Sequence, residues 1–305
     1  MFTTLKTTVL IFGLSFAAVA LACSIDGKGG FLPENDLYIP ANMKGINGGI
    51  TEAQFTEAID KVEAIYAPIV ASMGGKLEIE RKWNDGTVNA YASQTGNTWK
   101  VAMFGGLARH QTITADGMSL VVCHEIGHHI GGAPKKGAST GGGWWGGAGN
   151  AGSWAGNEGQ SDYFATLKCL RKTFLNDNNV AIVAAMEVPK SLTEACQNST
   201  KNDKEDTALC VRGGMAGKSV ADLFSALSKL PETKFDTPDP KVVSKMDDNH
   251  PQAQCRLDTY FQGALCEISF NEDVSQKEEV KGTCHPSLGH KIGLRPLCWF
   301  KPKSK

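Results

Sequence analysis

Five residues, His124-Glu125-Ile126-Gly127-His128, set the strongest condition on the fold of this chain. They lie in an apolar run that reads as a helix from about Asp116 to Ile130. Asp116 is placed to cap its start, and Gly131-Gly132 to end it. Each helical residue turns the side chain by about 100°, so His124 and His128 stand about 40° apart on one face. Two imidazoles one turn apart can grip one zinc ion, each at about 2.0–2.1 Å. Glu125 projects beside them, where it can take a proton from a water. A catalytic zinc needs a third protein ligand and an open position, so the fold must bring another side chain to this helix.

In one zincin class the third ligand is a His ten residues after the first, but Pro134 stands at that position. His129 turns about 100° away from His128 and does not share its face. Between His129 and Glu158 the chain has no His, Asp, Glu or Cys. Glu158, in Asn157-Glu158-Gly159-Gln160-Ser161-Asp162, is therefore the first candidate. Asp162 falls one turn further on, placed to accept the distal N–H of a zinc histidine. The competing reading of both carboxylates is an acidic first helical turn favoured by the helix dipole.

The charge balance of 31 Lys+Arg against 32 Asp+Glu argues against a nucleic-acid partner. Residues 1–22 read as a signal peptide, with Lys6, an apolar run from Val9 and the small-residue exit Ala20-x-Ala22. Ala20-Leu21-Ala22-Cys23 resembles a lipoprotein box, so the exported chain is either lipid-anchored at Cys23 or simply secreted. No later apolar run reaches membrane length. Eight further cysteines point to disulfides in an oxidising setting: periplasm, cell envelope or outside the cell. None has CxxC spacing, so they are not read as metal ligands. Spacing leaves their pairing open; the local scheme Cys196–Cys210, Cys255–Cys266 and Cys284–Cys298 is the expectation.

Residues 23–50 read as a leader loop. Phe55, Ile59, Val62, Tyr66, Ile69 and Met73 mark one apolar helix face, ended by Gly74-Gly75. Leu77–Trp83, Thr87–Ala92 and Trp99–Leu107 read as strands. Asp85-Gly86 and Gly96-Asn97 separate them, as in an antiparallel meander. The Gly-rich stretch 137–156, with Trp144, Trp145 and Trp154, is either a lid over the site or a surface loop pinned by its tryptophans. A helix over Glu158–Phe174, short helices and a Pro-containing linker near 231–240 follow. The fold class is α+β: a small antiparallel sheet on the motif helix, then a mainly helical, disulfide-bearing part.

His124-Glu125-x-x-His128 followed by Glu158-x-x-x-Asp162 resembles the gluzincin metallopeptidases. Asn89-Ala90-Tyr91-Ala92, then Gly96, Val101 and Gly106-Leu107, and later His250-Pro251 with Arg256, resemble segments of the HtpX-like and CaaX-prenyl-protease family. They occur in the same order over roughly residues 50–260. The resemblance implies a zincin-like metallopeptidase domain over 51–268, followed by a disulfide-bearing extension over 269–305. It implies one zinc per chain and an endopeptidase acting on protein or peptide substrates. His124, His128 and Glu158 would be the ligands, Glu125 the general base and Asp162 the partner of a ligand. Gly106, Leu107, Ala108 and Arg109 would form an edge strand that pairs with substrate. His250 would bind the oxyanion or occlude the zinc, the competing reading being a loop histidine. Arg256 would hold a site carboxylate or make a surface salt bridge.

The chain departs from the family in four respects. Membrane helices are absent, Ser161 stands where the family has Ala, and the Gly/Trp stretch is additional. The C-terminal segment, with Cys284-His285-Pro286 and Arg295 to Trp299, matches nothing in it, and His285 and His290 read as structural. A non-catalytic zinc-binding protein of the cell envelope on the same scaffold is the main rival. A cell-wall amidase shares the metal logic but not the peptide-pairing strand.

Overall fold

The structure is a computed structural model that describes residues 30–42, 48–137 and 153–302. The signal-peptide segment, Cys23, Trp144 and Trp145 lie outside the described residues. Helix α1 spans Glu52–Ser72. Thr51 and Gln54 form a reciprocal capping box at its start. Phe55, Ala58, Ile59, Val62, Tyr66 and Val70 face the core, whereas Met73 lies past the helix end and is exposed.

Strands β1 (Lys76–Lys82), β2 (Ala90–Thr95) and β3 (Thr98–Phe104) form one sheet in the order β1-β3-β2. The expected meander is corrected here, because β1 and β3 run parallel while only β2 and β3 are antiparallel. The turn at Gly96-Asn97 is a hairpin as read. The Asp85-Gly86 turn is not, because residues 83–89 carry the chain past the place that β3 later fills. Val101 sits opposite Ile79 on one side and Ala92 on the other.

A second correction concerns residues Gly106 to Arg109. Gly105–Ala108 form a short buried helix, α2, and not an edge strand. A Cβ on Gly106 would lie 1.9 Å from the Gly86 carbonyl oxygen, so the chain turns inward in close backbone contact. Arg109 is spent on structure, donating to the carbonyls of Ile39, Trp83 and Asp85.

Helix α3, Ala115–Ile130, is the axis of the molecule. Thr114 caps it, not Asp116, whose carboxylate instead pairs with Arg212. Every residue from Gly117 to Ile130 is buried, as expected of a helix packed on all sides. Its neighbours include α1, α4 (Glu158–Phe164) and α8 (Lys204–Ser228), numbered in chain order with α5 (Leu170–Phe174), α6 (Asn179–Ala184) and α7 (Lys190–Ser199). The expected single helix over 158–174 carries a π-helical turn, Ala165–Cys169, between α4 and α5. Helix α9 spans Ala253–Leu265.

Four disulfides join the described residues: Cys123–Cys169, Cys196–Cys210, Cys255–Cys298 and Cys266–Cys284. The Cys196–Cys210 expectation holds, and the other two local pairs are corrected. Cys255 and Cys266 stand at opposite ends of α9, about 16 Å apart by helical rise. A disulfide needs Cα atoms within roughly 4.4–6.8 Å. The C-terminal segment instead returns to the start of α9, where Cys298, Trp299 and Phe300 pack around Cys255. Among the described residues no helix is long and apolar enough to cross a membrane.

Candidate metal centre

Helices α3 and α4 cross at Gly127. A Cβ there would lie 3.0 Å from the Ser161 Cα, so the fourth residue of the motif must be small for the helices to meet. That contact sets Glu158 and Asp162 against the two histidines. His124 Nε2 lies 3.3 Å from Glu158 Oε2, and His128 Nε2 lies 3.6 Å from Glu158 Oε1. Two donors about 2.05 Å from a tetrahedral ion are about 3.3 Å apart, so these separations suit one small divalent cation. His124, Glu125 and Glu158 are 0% exposed and His128 is 1% exposed.

Three of the converging atoms, His124 Nε2, His128 Nε2 and Glu158 Oε2, are buried without a hydrogen-bond partner. Leaving such groups unmet costs free energy, and an ion between them removes that cost. The distal nitrogens are both engaged. His124 Nδ1 is 2.7 Å from Asp162 Oδ1, and His128 Nδ1 is 2.8 Å from the Gly156 carbonyl oxygen. Both partners accept, so each Nδ1 carries the proton and, in the neutral ring, each Nε2 lone pair faces the centre. Ser161 lies 3.1 Å from His128 Nδ1, giving the hydroxyl a role that Ala could not fill. The residues present therefore fit a metal ion.

Asp162 Oδ1 also accepts from Arg256 Nη2 at 2.6 Å and from Tyr260 Oη at 2.7 Å. Arg256 is thus the partner of a site carboxylate, fully buried and not part of a surface pair. Burial pushes Asp162 towards its neutral form, but Arg256 and His124 outweigh it and hold the carboxyl below its usual range. Burial likewise opposes charge on His124, yet Asp162 and Glu158 raise it to about 9. A proton on His124 therefore competes with a metal at neutral pH. Burial keeps His128 neutral, well below the ordinary histidine range. Glu158 is raised by burial, but the facing His250 and Lys136 dominate and hold it well below the usual carboxylate range.

His250 reaches the centre from the loop before α9. Its Nε2 is 2.8 Å from the Gly30 carbonyl oxygen and 3.6 Å from Glu158 Oε2. Gly30 belongs to a segment lying along the outer edge of β2. Phe31 donates its N–H to the Ala90 carbonyl, and Leu32 exchanges two hydrogen bonds with the Asn89 side chain. The Phe31 ring packs edge-on to His124 at 4.8 Å, and its carbonyl accepts from Arg256. The edge of the sheet beside the centre is thus β2, occupied by the protein's own chain.

Sequence reasoning missed Lys136, whose Nζ is 2.7 Å from Glu158 Oε1. It lies in a loop with no motif to mark it. It also missed the Gly156 carbonyl, since a main-chain atom leaves no side-chain signal. Tyr260 had a legible signal, being one helical turn from Arg256. Of the Gly/Trp stretch, residues 138–152 lie outside the described residues. Trp154 stacks on His129 at 4.8 Å, and Trp99 stacks on it at 5.4 Å. His285 and His290 stay away from the centre, His285 capping the short turn at Pro286–Leu288.

No family model, curated protein or solved structure matches this chain. The described residues define an α+β protein with a buried His124-His128-Glu158 group that could hold a metal ion.

Proposed function

We propose that this chain is an exported zinc-dependent endopeptidase of the gluzincin type, acting on protein or peptide substrates. The observation that carries the reading is the convergence of three unpartnered buried donor atoms beside Glu125, braced by Asp162 and Arg256. Zinc held by His124, His128 and Glu158 would supply a Lewis acid for a peptide carbonyl and for a water. Glu125 takes the proton of the attacking water and returns it to the departing amine, acting first as base and then as acid. Asp162 keeps the His124 ring in one tautomer and orientation throughout. His250 Nε2–H, which donates to the Gly30 carbonyl in this structure, becomes a donor for the developing oxyanion once Gly30 moves aside. Export accords with the four disulfides and with residues 1–22 as a signal peptide.

Near-complete burial of the centre favours a second reading, a closed and non-catalytic metal site. The endopeptidase reading requires the Gly30–Leu32 segment to leave the β2 edge when substrate enters. Glu125→Gln separates the two. It should keep the metal content of the purified protein and lower casein cleavage by about 10²–10⁴-fold. Cleavage retained by the variant refutes the role of Glu125, and absence of cleavage by metal-loaded wild type refutes the enzyme. Hydrogen exchange at the Phe31 amide should speed up when a metal-directed peptide inhibitor binds; unchanged protection argues that the segment stays in place.

A further inference from the structure

Gly30-Phe31-Leu32 lies against the metal centre. Every main-chain polar group from the Gly30 carbonyl to the Leu32 carbonyl is met by a residue distant in sequence. The Gly30 carbonyl accepts from His250 Nε2 at 2.8 Å. The Phe31 N–H donates to the Ala90 carbonyl at 2.8 Å, and the Phe31 carbonyl accepts from Arg256 Nη1 at 3.1 Å. The Asn89 side chain closes the set, accepting from the Leu32 N–H at 2.9 Å and donating to the Leu32 carbonyl at 3.2 Å. All these bonds reach main-chain atoms, so they can hold the backbone of a peptide whatever its side chains.

Selectivity comes from the space around the segment. Phe31 and Leu32 are both 0% exposed. The Phe31 ring stands edge-on to His124 at 4.8 Å and to Phe224 at 5.4 Å, and the Arg256 guanidinium lies over it at 4.6 Å. A guanidinium over a ring favours an aromatic side chain above an aliphatic one. At Gly30 an added Cβ would overlap the Ala90 carbonyl oxygen and lie 2.6 Å from both Asn89 Oδ1 and Tyr91 Cε1, so this position takes glycine. Residues 33–36, just beyond, are exposed. Two buried side chains therefore hold this stretch to the β2 edge.

The register follows from the Gly30 carbonyl. Its donor, His250 Nε2, is 3.6 Å from the candidate ligand atom Glu158 Oε2. The glycyl carbonyl thus lies on the side of the segment nearest the centre.

We propose that Asn89, Ala90, His250 and Arg256 form a peptide cradle selective for the order glycine, aromatic, aliphatic, with Gly30-Phe31-Leu32 as its resident. As a binding site the cradle stands without catalysis; as a substrate preference it rests on the peptidase reading. A substrate that displaces the resident in the same register presents its glycyl carbonyl to the centre. Hydrolysis then joins a water oxygen to the glycyl carbonyl carbon. It breaks the bond from that carbon to the nitrogen of the aromatic residue, which leaves as an amine with the proton passed on by Glu125.

Binding is tested first, in Glu125→Gln, so that the peptide survives. The probe is acetyl-Gly-Phe-Leu-Pro-Glu-amide, a copy of residues 30–34. A tethered resident competes at an effective concentration in about the millimolar range, so Phe31→Ala is added to empty the aromatic seat. Isothermal titration should show one probe per chain in this double variant. Probes with Ala in place of Phe, or Ala in place of Gly, should bind at least about tenfold more weakly. Glu125→Gln with Phe31 intact should also bind the probe at least about tenfold more weakly. If the double variant does not fold, Phe31→Leu takes the place of Phe31→Ala in the same comparisons. The second readout is a digest of a mixed peptide library by metal-loaded wild type, with cuts expected at Gly–aromatic bonds. Lack of saturable probe binding, or equal affinity for the Ala-substituted probes, overturns the cradle. Cleavage without preference for Gly–aromatic bonds also overturns it but keeps the enzyme. Selective binding without any cleavage supports the cradle and overturns the peptidase reading.

Discussion

Arg256 and Asp162, 94 residues apart in sequence, meet at 2.6 Å with neither side chain exposed to solvent. The same carboxylate oxygen accepts from His124 and Tyr260. One ion pair between α9 and α4 therefore sets the orientation of a candidate ligand on α3. Arg256→Met leaves a buried carboxylate without its cation and should destabilise the fold by about 3–5 kcal/mol. Asp162→Asn should keep more of the fold but weaken metal binding about 10–100-fold. Denaturant melts read the first effect and chelator competition the second. A folded Asp162→Asn protein with wild-type metal affinity would show that His124 needs no such orientation.

Lys136 has two opposed effects. Its ammonium satisfies Glu158, yet it adds positive charge where a cation would bind. Lys136→Met should lower the melting temperature of the chelator-treated protein, because Glu158 loses its partner. Zinc should restore more stability to this variant than to wild type, and bind it about tenfold more tightly. Equal zinc-induced shifts in the two proteins would remove Lys136 from the centre.

The Cys123–Cys169 disulfide ties the residue before His124 to the π-helical turn after α4, joining cysteines 46 positions apart in sequence. Replacing both by Ala should cost about 2–4 kcal/mol, since a loop of that length regains its freedom in the unfolded chain. Metal affinity should fall with it, because the same bond holds the α3–α4 crossing. A stability loss with unchanged affinity would confine the bond to the fold.

Asp258 is raised to about 6, chiefly by burial. In the unfolded chain the carboxyl ionises near 3.8, whereas the folded protein keeps the proton until about 6. Between these values the unfolded state binds fewer protons, so this group's contribution to stability falls as pH rises. Relative to Asp258→Asn, wild type should lose about 2–3 kcal/mol between pH 4 and pH 7. Melts of the two proteins across that range read the difference, whatever constant offset the substitution brings. A flat difference would show that the carboxyl titrates normally.

Local rules account for much of what was legible in the residues. The helix around His124, its end at Gly131 and the single helical turn between the two histidines follow from periodicity and capping. The start of α4 at Glu158, and Asp162 one turn on, follow in the same way. These properties reach only four or five residues along the chain, and a sequence expresses them directly.

What lay beyond that range belonged to tertiary structure. Strand order was one case: nothing within Leu77–Phe104 states that β3 enters between its predecessors. The disulfides of α9 were another, since Cys255 and Cys266 are close in sequence but held apart by the helix between them. Residues 105–108 form a helix in place of the expected strand, with Gly106 so close to the Gly86 carbonyl that no side chain fits there. Lys136, the Gly156 carbonyl and the Gly30–Leu32 segment join the centre only through folding. The amino-acid sequence alone determined which side chains could hold an ion and on which helices they would stand. Only the packed molecule decided their neighbours, because contacts between distant segments depend on the shape and burial of the whole core rather than on spacing along the chain.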